Sequence, residues 1–327
     1  MYSVDRAYTN HYEGYGEFIL SPDSLYLFQS GVEPRSLEAQ ALSGDGVACN
    51  VTFVELCNVM SPDDFVESVI EHASGIIYRL KSAEDLRKLL LTGRHSNIYI
   101  DATGLAIRVL AALLKQGVWL KKSGRLSGNI YIVYAEPEYY HVARFREEGA
   151  YFDLSESIKD MTPLPGYAKI VPSDKSAYVI PLLGFEGGRL AHVLSVFSEQ
   201  AYKVVPVIGV PGFRPEYPFV TYIGNKRALK DYKVFSNVKY VAAGSIVDAY
   251  FVLKSIYKKA KEQNRDIIIA PIGTKPHTIA ALLLYCEFPR EIEIAYDNPI
   301  RKKQRTEGVG RVSVTCISQL LNDGNET

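Results

Sequence analysis

The stretch Asp266-Ile-Ile-Ile-Ala-Pro-Ile-Gly-Thr-Lys-Pro-His-Thr-Ile-Ala-Ala-Leu-Leu-Leu284 decides the fold. Residues 267–270 are a short continuous apolar run, the pattern of a parallel strand covered on both faces, and residues 279–285 continue in helix-forming Ala and Leu. Between them stands Gly273-Thr274-Lys275-Pro276-His277. Thr274 suits an N-cap, Pro276 a first helical turn, and Gly273 a turn expected to need positive φ. In an open α/β sheet, ligands gather outside the carboxyl ends of strands, where the next helix offers unpaired N–H groups and the positive end of its dipole. Lys275 adds a positive charge there, which makes phosphate the first ligand class to consider. A turn glycine beside a solvated lysine is the equally open plain reading of these residues alone.

The stretch recurs. Residues 97–114 align without gaps on 266–283, an offset of 169 residues, and are identical at seven of eighteen positions, among them Gly104 with Gly273 and Ala111-Ala-Leu-Leu114 with Ala280-Ala-Leu-Leu283. The strand ends Val133-Tyr-Ala-Glu-Pro137 and Ala295-Tyr-Asp-Asn-Pro299 follow in the same order, and upstream Gly31-Val-Glu-Pro-Arg35 echoes Gly184-Phe-Glu-Gly-Gly-Arg189. Self-similarity at a fixed period outranks local assignments when a fold is read. The expected architecture is α/β: two tandem Rossmann-like halves with mostly parallel sheets, related by internal duplication. Residues 1–165 form the first, degenerate half and 166–327 the second, which carries the ligand site; the break falls at Met161-Thr-Pro-Leu-Pro-Gly166.

A chain of 327 residues with 47% hydrophobic and 23% charged composition fits two soluble domains. Thirty-seven basic residues balance thirty-seven acidic ones, so no global field exists to hold duplex nucleic acid or an anionic membrane, and any nucleic-acid contact has to be local. The four cysteines, Cys49, Cys57, Cys286 and Cys316, show no C-x-x-C spacing, which points to a reducing compartment without structural zinc. With no signal-peptide pattern and no apolar run of membrane length, a cytoplasmic location is expected. No cofactor or metal is called for.

Along the first half, strands are expected at 17–28, 51–56 and 76–80, with helices over 65–72 and from the capping box Ser82-Ala-Glu-Asp85 to residue 91. Glu33 and Arg35 read as a mutual pair. The second half runs strand 178–183, helix 190–197, strand 204–210, a Pro-rich loop 211–218, strand 241–247 and helix 249–261. Glu186 and Arg189 sit where a strand hands over to a helix, and Arg189 either holds phosphate bidentately or bridges to Glu186. The 211–218 loop carries Arg214 and two aromatics that suit a planar base, or packs as a plain connection. Arg301-Lys-Lys-Gln-Arg305 is either a solvated loop or the second wall of an anion pocket.

At Gly273-Thr274-Lys275, residues 176–300, and more weakly 15–137, resemble CARF domains, the CRISPR-associated Rossmann-type sensors in which a G-T-K-type loop after a strand contacts a nucleotide messenger. The Gly184-Phe-Glu-Gly-Gly-Arg189 turn, the Gly-Thr-Lys-Pro helix start and Gly308-Val-Gly310 resemble a defence-associated bacterial branch of that family. The resemblance implies ligand contacts from Gly273, Thr274 and Lys275, supported by Gly184 and Arg189; Glu186, Arg214 and His277 complete the candidate set. The first copy departs from the pattern, since Lys275 is answered by Ala106 and His277 by Arg108. No nuclease, helix-turn-helix or membrane segment is read beside the sensor-like halves, which leaves the output open. The expected function is a nucleotide-sensing regulatory protein of bacterial defence. It binds a small anionic nucleotide, with cyclic oligonucleotides in scope, and a homodimer or an effector subunit as further partners. Two rivals stand beside it. One is an enzyme hydrolysing or transferring a nucleotide or phosphosugar, with His277 as acid or base and Glu186 or Asp297 as its partner. The other is a ligand-free subunit of a nuclease or ATPase defence complex.

Overall fold

The computed structural model describes residues 4–30, 33, 35–36, 51–58, 68–72, 77–80, 82–141, 154–157, 161–169, 176–301 and 305–323. The chain folds as two compact units, Met1–Tyr139 with Thr306–Thr327, and Tyr140–Arg305. Both are α/β with mixed sheets, the second mostly parallel, and seven α-helices fall among the described residues.

In the first unit, strands β1 (Thr9–Tyr12), β2 (Ser24–Phe28), β3 (Thr52–Asn58), β4 (Ser68–His72), β5 (Ile77–Leu80), β6 (Asn97–Asp101), β7 (Asn129–Tyr140) and β17 (Thr306–Cys316) form one sheet of order β1-β17-β7-β6-β2-β3-β4-β5. Its middle, β7-β6-β2-β3, is parallel. Helix α1 (Ala83–Leu91) starts at Ser82, whose hydroxyl accepts from the Asp85 N–H as a capping box requires. Helix α2 (Ile107–Lys122) follows β6.

Two expectations fail in this unit. Of the helix expected over 65–72, residues 65–67 lie outside the described residues, and Ser68–His72 is strand β4, antiparallel to both β3 and β5. Its Val69-Ile70 pair carries β-branched side chains, which favour a pleated surface over a helix when two partners are at hand. Residues 306–316, which the sequence places in the 166–327 half, are strand β17 and pair antiparallel with β1, with Thr315 opposite Thr9. Its Val312 and Val314 join Tyr15, Tyr26, Phe28, Tyr99 and Val133 in the core of this unit, and that burial fixes where the segment goes.

In the second unit, β8 (Ser155–Ser157) pairs with β16 (Ile300–Arg301). The main sheet holds β9 (Thr162–Pro163), β10 (Ala177–Leu182), β11 (Ala201–Val204), β12 (Val207–Gly209), β13 (Lys239–Val241), β14 (Asp266–Pro271) and β15 (Ile292–Tyr296). Its path is β13-β12-β10-β14-β15-β9, parallel except for the last pair. Counted in chain order, β10, β12, β13, β14 and β15 lie 3-2-1-4-5, the strand order of a doubly wound Rossmann-type sheet, so the topological switch point falls between β10 and β14.

Four helices cover this sheet: α3 (Gly187–Phe197), α4 (Tyr217–Asp231), α5 (Ile246–Glu262) and α6 (Lys275–Glu287); a short α7 (Ile317–Asp323) ends the first unit. The period-2 alternation of β14 serves both faces. Ile268, Ala270 and Ile272 pack with Leu190, Val193 and Leu194 of α3 and Ala228 and Leu229 of α4, while Ile267 and Ile269 point the other way and are equally buried. Helix α6 is buried continuously over Pro276–Tyr285, as a helix apolar all round must be. Each buried Leu or Ile contributes about 1.5–3 kcal/mol, so this helix anchors the turn before it.

Helix α4 went unread in the sequence, because Phe219-Val-Thr-Tyr-Ile223 has strand composition. Its buried positions, Tyr217, Thr221, Asn225, Ala228 and Leu229, nevertheless recur at helical spacing. The expected strand 241–247 splits: β13 ends at Val241, and Ser245 caps α5 by accepting from the Asp248 N–H.

Candidate functional site

Outside the carboxyl ends of β10, β12, β13 and β14 lies a cavity, ≈ 540 Å³ when its open mouth is counted. Gly184 and Gly273, the turn glycines after β10 and β14, line it side by side, and a Cβ on Gly184 would stand 3.3 Å from the Gly273 Cα. Gly273 does not have positive φ. It is required by close approach, because a Cβ there would collide with the Leu183 carbonyl. Asn225, buried on α4, donates from Nδ2 to the Gly184 carbonyl at 2.8 Å and holds the first turn in place.

The far wall is aromatic. Tyr140, Phe185 and Tyr217 meet edge to face with centroids 5.2–5.7 Å apart, and the Tyr217 hydroxyl accepts from the Tyr140 N–H at 3.2 Å. Phe213 and Tyr217, the two aromatics of the expected base-clamping loop, both line the cavity. Arg214 is not among the lining residues; its Nε donates to Glu216 at 2.6 Å, and that bond lowers the Glu216 pKa.

Arg189 lines the cavity but is 2% exposed, and its fork is engaged. Nε and Nη2 donate to the two carboxylate oxygens of Asp297 at 2.5 and 2.7 Å, and Nη1 donates to the Ile272 carbonyl at 2.7 Å. Glu186 stands 3.8 Å away. Burial works against the guanidinium charge, and Asp297 reverses that, holding the pKa above its ordinary value. Of the two expected roles, the bridge to Glu186 is present, and the closer contacts add another: Arg189 ties the turn after β14 to the end of β15. Glu186 accepts from the Leu154 N–H at 3.2 Å and the Ser155 hydroxyl at 3.0 Å, and so fixes the segment that brings Leu154 to the cavity.

Thr274 caps α6, accepting from the His277 N–H at 3.4 Å, while its hydroxyl donates to the Ala243 carbonyl at 2.9 Å. Lys275 follows as the first helical residue, half-buried and beyond the lining set. His277 is fully buried and does not line the cavity. Its Nε2 lies 3.0 Å from the Ala242 carbonyl, which only accepts, so Nε2 carries the proton. Burial pushes its pKa down to about 4, with the Ala242 carbonyl opposing, and the ring is neutral at pH 7. Of the basic segment at 301–305, Lys302, Lys303 and Gln304 lie outside the described residues, and Arg305 is not at the cavity.

In the first unit the matching turn glycine makes the same kind of close approach, but the side chains around it differ. Gly104 lies against the Gln29 carbonyl, and Asp101 accepts from the hydroxyls of Tyr15 at 2.7 Å and Tyr26 at 2.8 Å. Arg35 pairs with Glu33, as the sequence suggested, and donates to the Ala135 carbonyl, the position answering Asp297. Among the described residues, no three His, Cys, Asp or Glu side chains gather as a metal site requires, and no helix is long and apolar enough to cross a membrane.

Sheet order and cavity together define the second unit as a Rossmann-type α/β module with a pocket at its switch point. No protein-family model matches the chain, and no curated protein matches its sequence.

Proposed function

We propose that the second unit binds a small nucleotide as a regulatory signal, with cyclic oligonucleotides among the ligands in scope. The observation that carries this reading is the cavity at the switch point, floored by Gly184 and Gly273 and walled by the rings of Tyr140, Phe185 and Tyr217. The base lies against the rings. A phosphate lies at the Gly273-Thr274-Lys275 turn, where the start of α6 supplies N–H groups and Lys275 the charge. Arg189 shapes the pocket and leaves the phosphate to that turn.

Binding is favoured over turnover by the state of the acid–base groups. His277 is enclosed and neutral, Asp297 is occupied by Arg189, and Glu186 already accepts two hydrogen bonds. The resemblance to CARF sensors gives the ligand a signalling role in bacterial defence, read out by a partner protein. The internal duplication belongs to the same proposal. It is supported by the two turn glycines, Gly104 and Gly273, each pressed on a carbonyl just past the neighbouring parallel strand, β2 or β10. A thermal-shift and calorimetric screen of mono-, di- and cyclic oligonucleotides tests the reading.

A further inference from the structure

The second unit also carries a surface unrelated to its cavity. Helix α4 exposes Phe219 (69%) and Ile223 (42%), and the chain after it exposes Phe235 (43%) and Tyr240 (55%), the latter on edge strand β13. Phe235 and Tyr240 form one platform with Tyr222. The Tyr222 and Phe235 rings are stacked, 8° apart in plane with centroids at 6.5 Å, and the Tyr222 and Tyr240 rings lie 6.4 Å apart with their hydroxyls hydrogen-bonded.

The same stretch, residues 219–240, holds five exposed cations, Lys226, Arg227, Lys230, Lys233 and Lys239, against one carboxylate, Asp231, a surplus of four. The whole chain is neutral, so this is a local concentration of charge. Lys226 stands one helical turn from Tyr222, which sets a cation beside the platform. A short edge strand opened by a lysine blunts strand-to-strand pairing, and a surplus of like charge on both faces opposes a second copy. Flat aromatic faces interleaved with lysines suit a partner that offers π-faces and phosphates alternately.

We propose that this α4–β13 face binds single-stranded nucleic acid, its bases stacking on Tyr240, Tyr222 and Phe235 and its phosphates meeting Lys226, Lys230 and Lys239. The test is fluorescence anisotropy of the full chain with labelled 12-nucleotide oligo-dT and oligo-U, and with a duplex of equal length. Both single strands are expected to bind more tightly than the duplex. Tyr240→Ala is expected to weaken binding about tenfold, whereas Tyr240→Phe retains it. Lys226→Ala with Lys230→Ala is expected to lower the salt slope by about 0.7 per lysine. Melting temperatures of the variants should match the parent, since the side chains are exposed, and a mononucleotide that fills the cavity should not compete. Equal affinity for duplex, or binding unchanged in Tyr240→Ala, overturns the proposal. So does a wild-type dimer that Tyr240→Ala converts to monomer, which would assign the face to a second copy.

Discussion

Arg189 and Asp297, 108 residues apart in sequence, form a two-pronged ion pair in which both side chains are at most 2% exposed. The pair joins the first turn of α3 to the end of β15, across the strand that carries the Gly273 turn. A buried charge left without its partner is costly, whereas an apolar pair in the same space is tolerated. Arg189→Met or Asp297→Leu alone is expected to cost about 3–5 kcal/mol, and the double variant clearly less than the sum. Urea unfolding of the four proteins measures the coupling; additive losses would mean the pair is energetically incidental.

The two kinds of glycine in this site should respond oppositely. Gly273→Ala pushes a methyl group into the Leu183 carbonyl and is expected to cost about 1–3 kcal/mol. Gly188→Ala, in the first turn of α3 with nothing within 4 Å of the added carbon, is expected to be neutral or to stabilise by about 0.5–1 kcal/mol. Melting curves decide both.

Acid should act through His277. Its pKa is about 4 in the fold and about 6.5 when unfolded, so the unfolded chain takes up the proton first. The contribution is complete above pH 6.5 and is lost as pH falls towards 4, by about 3 kcal/mol. Comparing the chain with His277→Gln at pH 7, 5.5 and 4 separates this loss from that of the carboxylates. The variant should lose less over that window, and parallel losses would contradict the burial of a neutral ring.

The strand, cap and apolar helix around Gly273 were legible because local chemistry sets them: a β-branched run, a Thr N-cap and a Pro in the first turn. So was the glycine, although its reason was misjudged, since crowding from β10 is a tertiary effect that no local pattern carries. Helix α4 was illegible because its aromatic and β-branched composition argues for strand, and packing on α3 overrides that preference. The Arg189–Asp297 pair could not be read because its partners are distant in sequence and meet only through the order of the sheet. The aromatic wall was half legible: Phe213 and Tyr217 share a Pro-rich loop, but Tyr140 and Phe185 arrive from other segments.

The central claim is that the switch-point cavity and the Gly273-Thr274-Lys275 turn hold a nucleotide, and the direct measurement is ligand-induced stabilisation across a panel of mono-, di- and cyclic oligonucleotides. A true ligand at about 100 times its dissociation constant should stabilise the fold by roughly 2.7 kcal/mol. Lys275→Ala should remove most of that gain, and Tyr217→Ala should weaken base binding, with affinity in the parent falling as salt rises. A panel in which no nucleotide shifts the melting temperature, or a ligand whose affinity and salt dependence are unchanged by Lys275→Ala, would contradict the account.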